Sequence, residues 1–262
     1  MTARILVRLV SWSVLAYLML PLVVILGVSF TASSFLAFPP QGWTLKWYGQ
    51  MLADRSYVAA FSTSTALALS ATGTALLLTV PAALAISRYE FPGKRAISAV
   101  LMSPMVLPHI VLGAALLQFG GYFGLTRSFL SLLIGHTVIV APFVLRSTLA
   151  SLTPEQKVLQ EASSDLGANP WMTFCLIVLP QIRAGIVTGS IFAFISSWIN
   201  VELSMFNTTA NLNTIPVKLF NYVQYTIDPT IAALSSVTII TALVAIVFLD
   251  LTVGLDMLSV RK

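Results

Sequence analysis

One apolar stretch, residues 196–204, contains the polar side chains best suited to chemistry. The stretch otherwise has the composition of a membrane helix, and beside Trp198 its polar residues are Ser196, Ser197, Asn200, Glu202 and Ser204. An ionisable side chain within a membrane span is costly to bury, so it usually faces a polar partner or a solute path. The Glu202 carboxylate would attract a cationic solute in such a path, or it would only reach headgroup water at the end of the span.

A second candidate for solute contact lies in an apolar stretch that contains two prolines. Pro104 and Pro108 each remove a backbone hydrogen bond, so we expect them to kink a helix and expose carbonyl groups, or to form only a packing kink. His109 and His136 are each either a pathway residue or a hydrogen-bonded packing residue. The predicted substrate pathway consists of Pro108, His109, Ser197, Trp198, Asn200 and Glu202.

These side chains do not form a catalytic or metal-binding pattern. The sequence has no H-E-x-x-H and no G-x-S-x-G motif, and its apolar stretches contain no pair of acids. A single cysteine, Cys175, excludes a disulfide framework within the chain and a cysteine-rich metal cluster. We therefore predict no catalytic residue, no metal site and no cofactor bound by this chain.

Membrane helices must hold these residues, because the composition is far from that of a soluble protein. Hydrophobic residues make up 57% of the 262 residues and charged residues 9%, with a mean hydropathy of +0.91. A charge at mid-bilayer costs about 2.5 to 3.5 kcal/mol, so charged residues mark the ends of spans. The charge-free stretches predict six transmembrane helices of sufficient length, near residues 9–31, 58–86, 97–119, 128–149, 183–206 and 230–254.

The basic residues predict the orientation of these spans. With a cytoplasmic N-terminus, the cytoplasmic set is Arg4, Arg8, Arg88, Lys94, Arg95, Arg146, Lys157, Arg183, Arg261 and Lys262. The outer set is Lys46, Arg55, Arg127 and Lys218. This asymmetry predicts that both termini are cytoplasmic. The net charge of +5 then reflects membrane topology, and the scattered basic residues do not predict nucleic-acid binding.

The polar loop between the fourth and fifth spans, residues 151–182, predicts two short cytoplasmic helices. Thr153 and Gln156 fit a capping box, and Gly167 fits a left-handed helix end. Asn169-Pro170 would begin a second helix, which Pro180 would separate from the fifth span. The residues at helical spacing on one face are Leu159, Ala162, Ser163 and Leu166 in the first helix and Trp171, Phe174, Cys175 and Val178 in the second. Such faces either dock to a partner or pack against the bundle.

The run EASSDLGANPWMTFCLIVLP, Glu161–Pro180, closely resembles the E-A-A loop of permease subunits from bacterial type I ABC importers. Glu161, Ala162 and Gly167 match that motif, as does the ending Ile177-x-Leu179-Pro180, and Ser163 replaces the second alanine. The resemblance extends over most of the chain. It implies the permease fold of that class: an all-α integral membrane protein with six transmembrane helices, in one domain over residues 1–262.

The resemblance also implies the partners of the chain. In that family the loop forms coupling helices that sit in a groove of a cytoplasmic ATPase dimer, which uses ATP and Mg while the permease itself is not an enzyme. This chain lacks the G-x-x-x-x-G-K-[ST] phosphate loop. The implied coupling residues are Glu161, Ala162, Ser163, Asp165, Gly167, Ala168, Trp171, Phe174, Leu179 and Pro180.

Further partners implied by the resemblance are a second, different permease subunit, membrane lipid and a periplasmic or lipid-anchored substrate-binding protein. The binding protein would dock on the outer loops, roughly 32–57 and 207–229, where Trp43, Trp47, Tyr48, Tyr222 and Tyr225 form contacts or an interfacial belt. The implied location is the bacterial inner membrane, as a multi-pass protein.

The run from Ser103 to Gly113 and the short length look most like the spermidine/putrescine branch, which predicts a polyamine or another amine-bearing solute. Relatives in that branch usually carry an acidic pair where this chain reads Ile199-Asn200, and Glu202 only partly replaces it. A phosphonate, sugar or amino-acid-like solute therefore stays an alternative. A secondary carrier is a more remote alternative, because the sequence shows no internal repeat of the kind that carriers use.

Overall fold

The computed structural model describes residues 2–253, which form helices joined by loops, with no β-strand among them. Within these residues, five helices are long and apolar enough to cross a membrane, and a sharply bent pair makes a sixth. The prediction of an all-helical membrane protein is confirmed, and the six predicted spans compare with five or six candidate spans. Gly254, which ends the predicted sixth span, and the basic pair Arg261 and Lys262 lie outside the described residues.

The helices follow one another with short connections. In chain order they are α1 (Thr2–Val28), α2 (Lys46–Ala53), α3 (Arg55–Arg88), α4 (Lys94–Met102), α5 (His109–Phe123), α6 (Phe129–Ala150), α7 (Pro154–Asp165), α8 (Pro170–Thr173), α9 (Leu179–Trp198), α10 (Ile215–Tyr225) and α11 (Pro229–Val253). A 3₁₀ turn, Ser103–Met105, follows α4, and a π-helical turn, Phe174–Val178, joins α8 to α9. The chain divides into two compact units, residues 2–59 with 218–243 and residues 60–217 with 244–253.

Four of the predicted spans correspond to helices of the structure, with most of their ends agreeing to within a few residues. The spans at 58–86 and 128–149 correspond to α3 and α6. The first helix ends at Val28, three residues before the predicted end, and most of its apolar side chains are exposed. In the sixth span, α11 begins at Pro229, one residue from the predicted position.

The third span is broken rather than kinked, so the prediction of one helix over 97–119 is wrong. The helix pair Lys94–Met105 and His109–Phe123 is bent by 104°. Pro108 has extended backbone angles, φ −59° and ψ 125°, and is the N-cap of α5. Proline also disfavours the helical conformation of the residue before it, which here is Leu107, so the chain turns at this point and starts a new helix.

The fifth span is displaced, so the prediction of 183–206 is wrong at both ends. Helical structure runs without a break over 29 residues, Pro170–Trp198. Pro180 does not separate two helices, because it lies in the first turn of α9 after the π turn. In that π turn the Leu179 amide donates to the Phe174 carbonyl, five residues back, and this wider turn admits the proline.

The core of the second unit forms where α6 packs along α9. Val140, Val144, Ile182 and Ala193 are buried there. Gly189 permits the close approach of the two helices, because a Cβ atom at this position would lie 2.9 Å from the Cα atom of Val144. The core therefore fixes α9 against α6, and it sets the position of whatever follows Trp198.

Candidate functional site

The first candidate region is the 151–182 loop, whose helix ends follow the predicted pattern. The Thr153 amide donates to Oε1 of Gln156 at 3.1 Å, and the capping box is present. Gly167 has φ +86°, in the left-handed region that glycine adopts without strain. Oδ1 of Asn169 accepts from the Met172 amide at 2.8 Å and caps the next helix. Short-range signals thus predicted these three helix ends correctly, whereas the predicted end of the second helix at Pro180 is absent.

The two helices of the loop are joined by a small buried contact. The Ser163 hydroxyl lies 2.9 Å from the Thr173 hydroxyl, and both side chains are buried. Ser163 is therefore on an inner surface, whereas its predicted face partners Leu159, Ala162 and Leu166 are exposed. The prediction that these four residues share one environment is wrong, because α7 turns its small residue toward the second helix.

The outward surface of the loop combines charged and apolar side chains. Leu166 is 89% exposed and Trp171 is 73% exposed. Glu161 is exposed and lies 3.9 Å from Lys157, an ion pair in solvent that contributes little to stability. The other predicted coupling residues are Asp165, Leu179 and Pro180, which are exposed, and Ala168 and Phe174, which are half-buried.

The second candidate region is a buried polar network around the end of α9. His136 of α6 is 1% exposed, and both of its ring nitrogens are used. Nδ1 lies 2.7 Å from the Ser197 hydroxyl, and Nε2 lies 2.9 Å from the Ser204 hydroxyl. A neutral imidazole has one N–H donor and one acceptor, so one serine accepts a hydrogen bond and the other donates one. Ser197 precedes Trp198, the last residue of α9, and Ser204 follows it in the chain.

Residues 199–207, hereafter the 199–207 turn, replace the predicted end of the fifth span. The Asn200 side-chain amide nitrogen lies 3.0 Å from Nδ1 of His109, and its oxygen accepts from the Leu203 amide at 2.9 Å. Asn207 donates to the Gly113 carbonyl at 3.0 Å. Because His109 and Gly113 belong to α5, both asparagines fasten the turn to that helix.

Two glycines let the turn approach its neighbours closely. A Cβ atom at Gly113 would lie 2.9 Å from the Leu203 Cα atom, and one at Gly135 would lie 2.9 Å from Cδ2 of Leu203. Leu203 is buried, at 1% exposure. Its side chain is therefore wedged between α5 and α6, where a larger residue at either glycine would displace it.

Two hydrogen-bonding groups in or next to the turn have no partner among the residues that the structure describes. They are Oδ1 of Asn207 and the indole N–H of Trp198. Each belongs to a buried residue. An unsatisfied buried polar group destabilises a structure by about 1–3 kcal/mol, so this arrangement of the turn leaves hydrogen-bonding capacity unused.

The predicted pathway residues separate into two groups. His109, Ser197 and Asn200 come together in the buried network, and Trp198 is buried beside them, with its ring centroid 5.2 Å from that of Phe61. Glu202 lies on the turn and is exposed. Pro108 is exposed and caps α5. The carboxylate on which the sequence argument placed most weight is therefore not part of the network.

Sequence reasoning missed Asn207, and it gave Ser204 and His136 no place in the final set of predicted pathway residues. The partners of His136 lie 61 and 68 residues away, and the contact of Asn207 with Gly113 joins residues 94 apart. Hydrophobic periodicity reports which face of a helix is apolar, but it does not pair residues at such distances. The available signal was the density of Asn and Ser between Ser196 and Asn207, in a chain with 57% hydrophobic residues.

Near the start of α3, the first unit holds a polar cluster centred on Lys218. Its ammonium group contacts the Ser56 hydroxyl, lies 3.9 Å from Asp54 and is 3.7 Å from the ring centroid of Tyr57. Hydrogen bonds from Ser56 lower the pKa of Asp54, and burial lowers the pKa of Lys218. The Lys218 ammonium group is therefore engaged with Ser56, Asp54 and Tyr57 and does not offer a free charge.

The aromatic residues predicted to meet a binding protein are used in different ways. Trp47 is buried and donates to the Thr31 carbonyl at 2.8 Å, and the Tyr48 hydroxyl lies 2.6 Å from that of Ser29. Burial, followed by the hydrogen bond to Asp228, raises the pKa of Tyr222 to about 12. Trp43, at 76% exposure, and Tyr225, at 87%, have most of their surface free for contact.

Comparisons with known proteins give consistent matches. Residues 75–255 match the protein family described as binding-protein-dependent transport system inner membrane component. The spermidine/putrescine transport system permease protein PotC of Escherichia coli (strain K12) is 29% identical over 235 residues, which cover 90% of this chain and 89% of that protein. The putrescine transport system permease protein PotI of the same strain is 28% identical over 229 residues, with 84% and 80% covered.

A solved structure supports the same fold. A bacterial ABC transporter involved in the import of the acidic polysaccharide alginate matches with a TM-score of 0.73 and 16% sequence identity, over 95% of each chain. At that identity the likeness concerns the fold alone.

Proposed function

The chain belongs to the binding-protein-dependent transport system inner membrane component family, and from this premise we propose that its 151–182 loop couples an ATPase to the membrane helices. The chain is a permease subunit of a type I ABC importer, and it is an inner-membrane protein. The matched region, 75–255, includes the 151–182 loop and the 199–207 turn.

The observation that carries the proposal is the pair of exposed apolar residues on either side of Gly167. Leu166 and Trp171 are 89% and 73% exposed, in a loop that also carries Lys157, Glu161 and Asp165. Apolar side chains that stand out from a polar segment are typical of a protein interaction surface. An aromatic anchor beside a rigid turn is also the kind of residue that dominates binding energy at such surfaces.

The proposed partner at this surface is an ATPase dimer that binds ATP and Mg. The permease chain has no phosphate loop of its own, so the hydrolysis is assigned to the separate subunit. A second permease subunit, of a different chain, would supply the other half of the pathway. A periplasmic or lipid-anchored binding protein would deliver the solute, in accord with the family description.

The proposed solute is a polyamine or another amine-bearing compound, by likeness to PotC and PotI. The network of His109, His136, Ser197, Asn200, Ser204 and Asn207 contains no carboxylate, and Glu202 is exposed on the turn. Charge selection by this subunit would therefore be weak, and the binding protein would carry most of the specificity. A phosphonate, sugar or amino-acid-like solute is the alternative.

The proposed orientation places both termini and the 151–182 loop in the cytoplasm. A cysteine at Ser164, which is exposed, tests this in a chain whose Cys175 is replaced by serine. An impermeant maleimide should label Ser164→Cys only after the cells are lysed. Labelling of intact cells would show that the orientation is reversed.

Reconstitution tests the proposed function. The permease pair, purified with its ATPase and placed in vesicles, should hydrolyse ATP faster when the loaded binding protein is added. A thermal-shift screen of that binding protein against polyamines, phosphonates, sugars and amino acids then identifies the solute class. Failure of the chain to retain any ATPase would contradict the coupling role, whereas stabilisation of the binding protein by a sugar would contradict only the amine assignment.

A further inference from the structure

We infer that His136 is the positioning residue of the transport pathway: it holds the 199–207 turn in place in this conformation and releases it in the alternate one. The inference rests on the proposed function, because it assumes that the end of α9 moves when an ATPase acts on the 151–182 loop. It goes beyond that function by assigning to one buried side chain, His136, the contacts that hold the residues before and after the end of α9 together.

The geometry makes His136 a two-sided attachment. Its ring forms one hydrogen bond with Ser197, in the last turn of α9, and another with Ser204, in the 199–207 turn. Any movement of the turn relative to the helix changes at least one of these distances, 2.7 and 2.9 Å, because the ring is rigid and buried in α6. The imidazole thus resists movement of the 199–207 turn relative to the end of α9.

The same turn has features of an element with a second arrangement. It has no regular secondary structure to hold it, and its attachments to α5 and α6 are side-chain hydrogen bonds and one wedged leucine. The unused groups of Asn207 and Trp198 are available to new partners if the turn shifts. Interfaces held by a few discrete contacts tend to switch rather than deform continuously.

The distance along α9 places the turn far from the 151–182 loop. At 1.5 Å per residue, Trp198 lies about 29 Å along the helix axis from Leu179. In the proposed orientation the turn is then near the outer side of the membrane, and His136 would hold the outer end of the pathway in its present form.

Hydrogen exchange measured by mass spectrometry tests the inference on the complete complex, with a peptide that covers 199–207. In the wild type, exchange of this peptide should be about tenfold faster when the ATPase is trapped with vanadate than at rest, equivalent to ~1.4 kcal/mol. Ser204→Ala should speed the resting exchange by about fivefold to tenfold, the range for one lost buried hydrogen bond. Ser196→Ala is the matched control, because Ser197 and Ser204 occupy both imidazole nitrogens.

A second pair of variants separates positioning from simple destabilisation. His136→Leu should remove the difference between resting and trapped states, and His136→Gln, whose amide both donates and accepts, should restore part of it. The peptide that covers α7 should be unaffected in every variant. If His136→Leu does not assemble, the serine variants give the answer by themselves.

The outcomes distinguish this inference from the proposed function. Equal exchange of the 199–207 peptide in the resting and trapped states, or equal effects of Ser204→Ala and Ser196→Ala, would overturn the role of His136 and leave the permease function intact. If the complex does not trap nucleotide at all, the coupling proposal fails, and the resting-state comparison of the serine variants still decides whether His136 holds the turn.

Discussion

The 151–182 loop and the 199–207 turn interrupt the membrane helices in opposite ways. The loop exposes apolar residues such as Leu166 and Trp171 and is held by capping contacts between near neighbours. The turn buries polar residues such as Ser204 and Asn207, and residues distant in sequence hold it. The exposed surface proposed to bind a partner is therefore encoded locally, whereas the buried turn depends on the packed bundle around it.

The largest effect is expected from a substitution on the exposed surface of the loop, at Trp171. Trp171→Ala should weaken retention of the ATPase about thirtyfold, because a central aromatic anchor at an interface contributes about 2 kcal/mol or more. The melting temperature of the permease should not change, since the indole is 73% exposed. Pull-down with increasing ATPase gives the affinity, and Trp43→Ala, which removes an equally exposed tryptophan elsewhere, is the control. A lower melting temperature with normal retention would place Trp171 in the fold instead.

At Gly113, by contrast, a substitution should lower the stability of the permease rather than its affinity for a partner. Gly113→Ala puts a methyl group against the Leu203 backbone and should destabilise the permease by about 1–3 kcal/mol, a loss of several degrees in melting temperature. Gly121→Ala, in the same helix, meets nothing within 4 Å and should be neutral or slightly stabilising. Thermal unfolding in detergent measures both. Equal melting temperatures for the two variants would show that the turn does not pack tightly on α5.

The backbone of the loop is tested by two substitutions at Gly167. No atom lies within 4 Å of the position of its Cβ, so the conformation, with φ +86°, is what restricts the residue. Gly167→Val should strain the turn by about 1–2 kcal/mol and reduce ATP hydrolysis stimulated by the loaded binding protein about tenfold. Gly167→Asn, which tolerates the left-handed region, should retain most of the activity. Similar losses in both variants would point to contact with a partner rather than to strain.

A smaller effect is expected at Glu202. Glu202→Gln should lower uptake of a cationic solute by fivefold or less, because the carboxylate is exposed and a charge pair at 4 Å in water is worth about 1 kcal/mol. Radiolabelled spermidine uptake into vesicles measures this effect. A loss above tenfold would mean that Glu202 faces a dry pathway, and the polar turn would then bind the solute directly.

The smallest effect is expected from pH at the start of α7. A hydrogen bond from Thr153, followed by one from its own backbone, lowers the pKa of Glu155 from its ordinary value. Its contribution to the first turn is therefore complete above the unfolded pKa and is lost as the pH falls through the folded pKa. A spin label at Gln160 should become more mobile below about pH 4.5. In Glu155→Gln this change should be absent, and its persistence would assign it to another group.

Short-range rules predicted much of this molecule. The capping box at Thr153 and the left-handed Gly167 depend on residues within one or two turns of each other, and the spans in α3 and α6 depend on a single uninterrupted apolar run. The rules failed where two influences compete, as at Pro180, which stops a helix in isolation but is accommodated after a π turn. They also failed at the end of α9, because the hydrogen bonds of Asn200 and His136 with distant residues outweigh the apolar character of 199–206.

The unbroken helix from Pro170 to Trp198 has a mechanical consequence. Its 29 residues make a rod about 43 Å long that begins in the exposed loop and ends at the buried turn. A tilt of roughly 10° about the midpoint would displace each end by about 4 Å, in opposite directions. Because the core fixes α6 against α9, the tilt would carry His136 and Ser197 together, and its amplitude exceeds the 2.9 Å separation between His136 and Ser204, so a small rocking of the two helices would be enough to detach the turn.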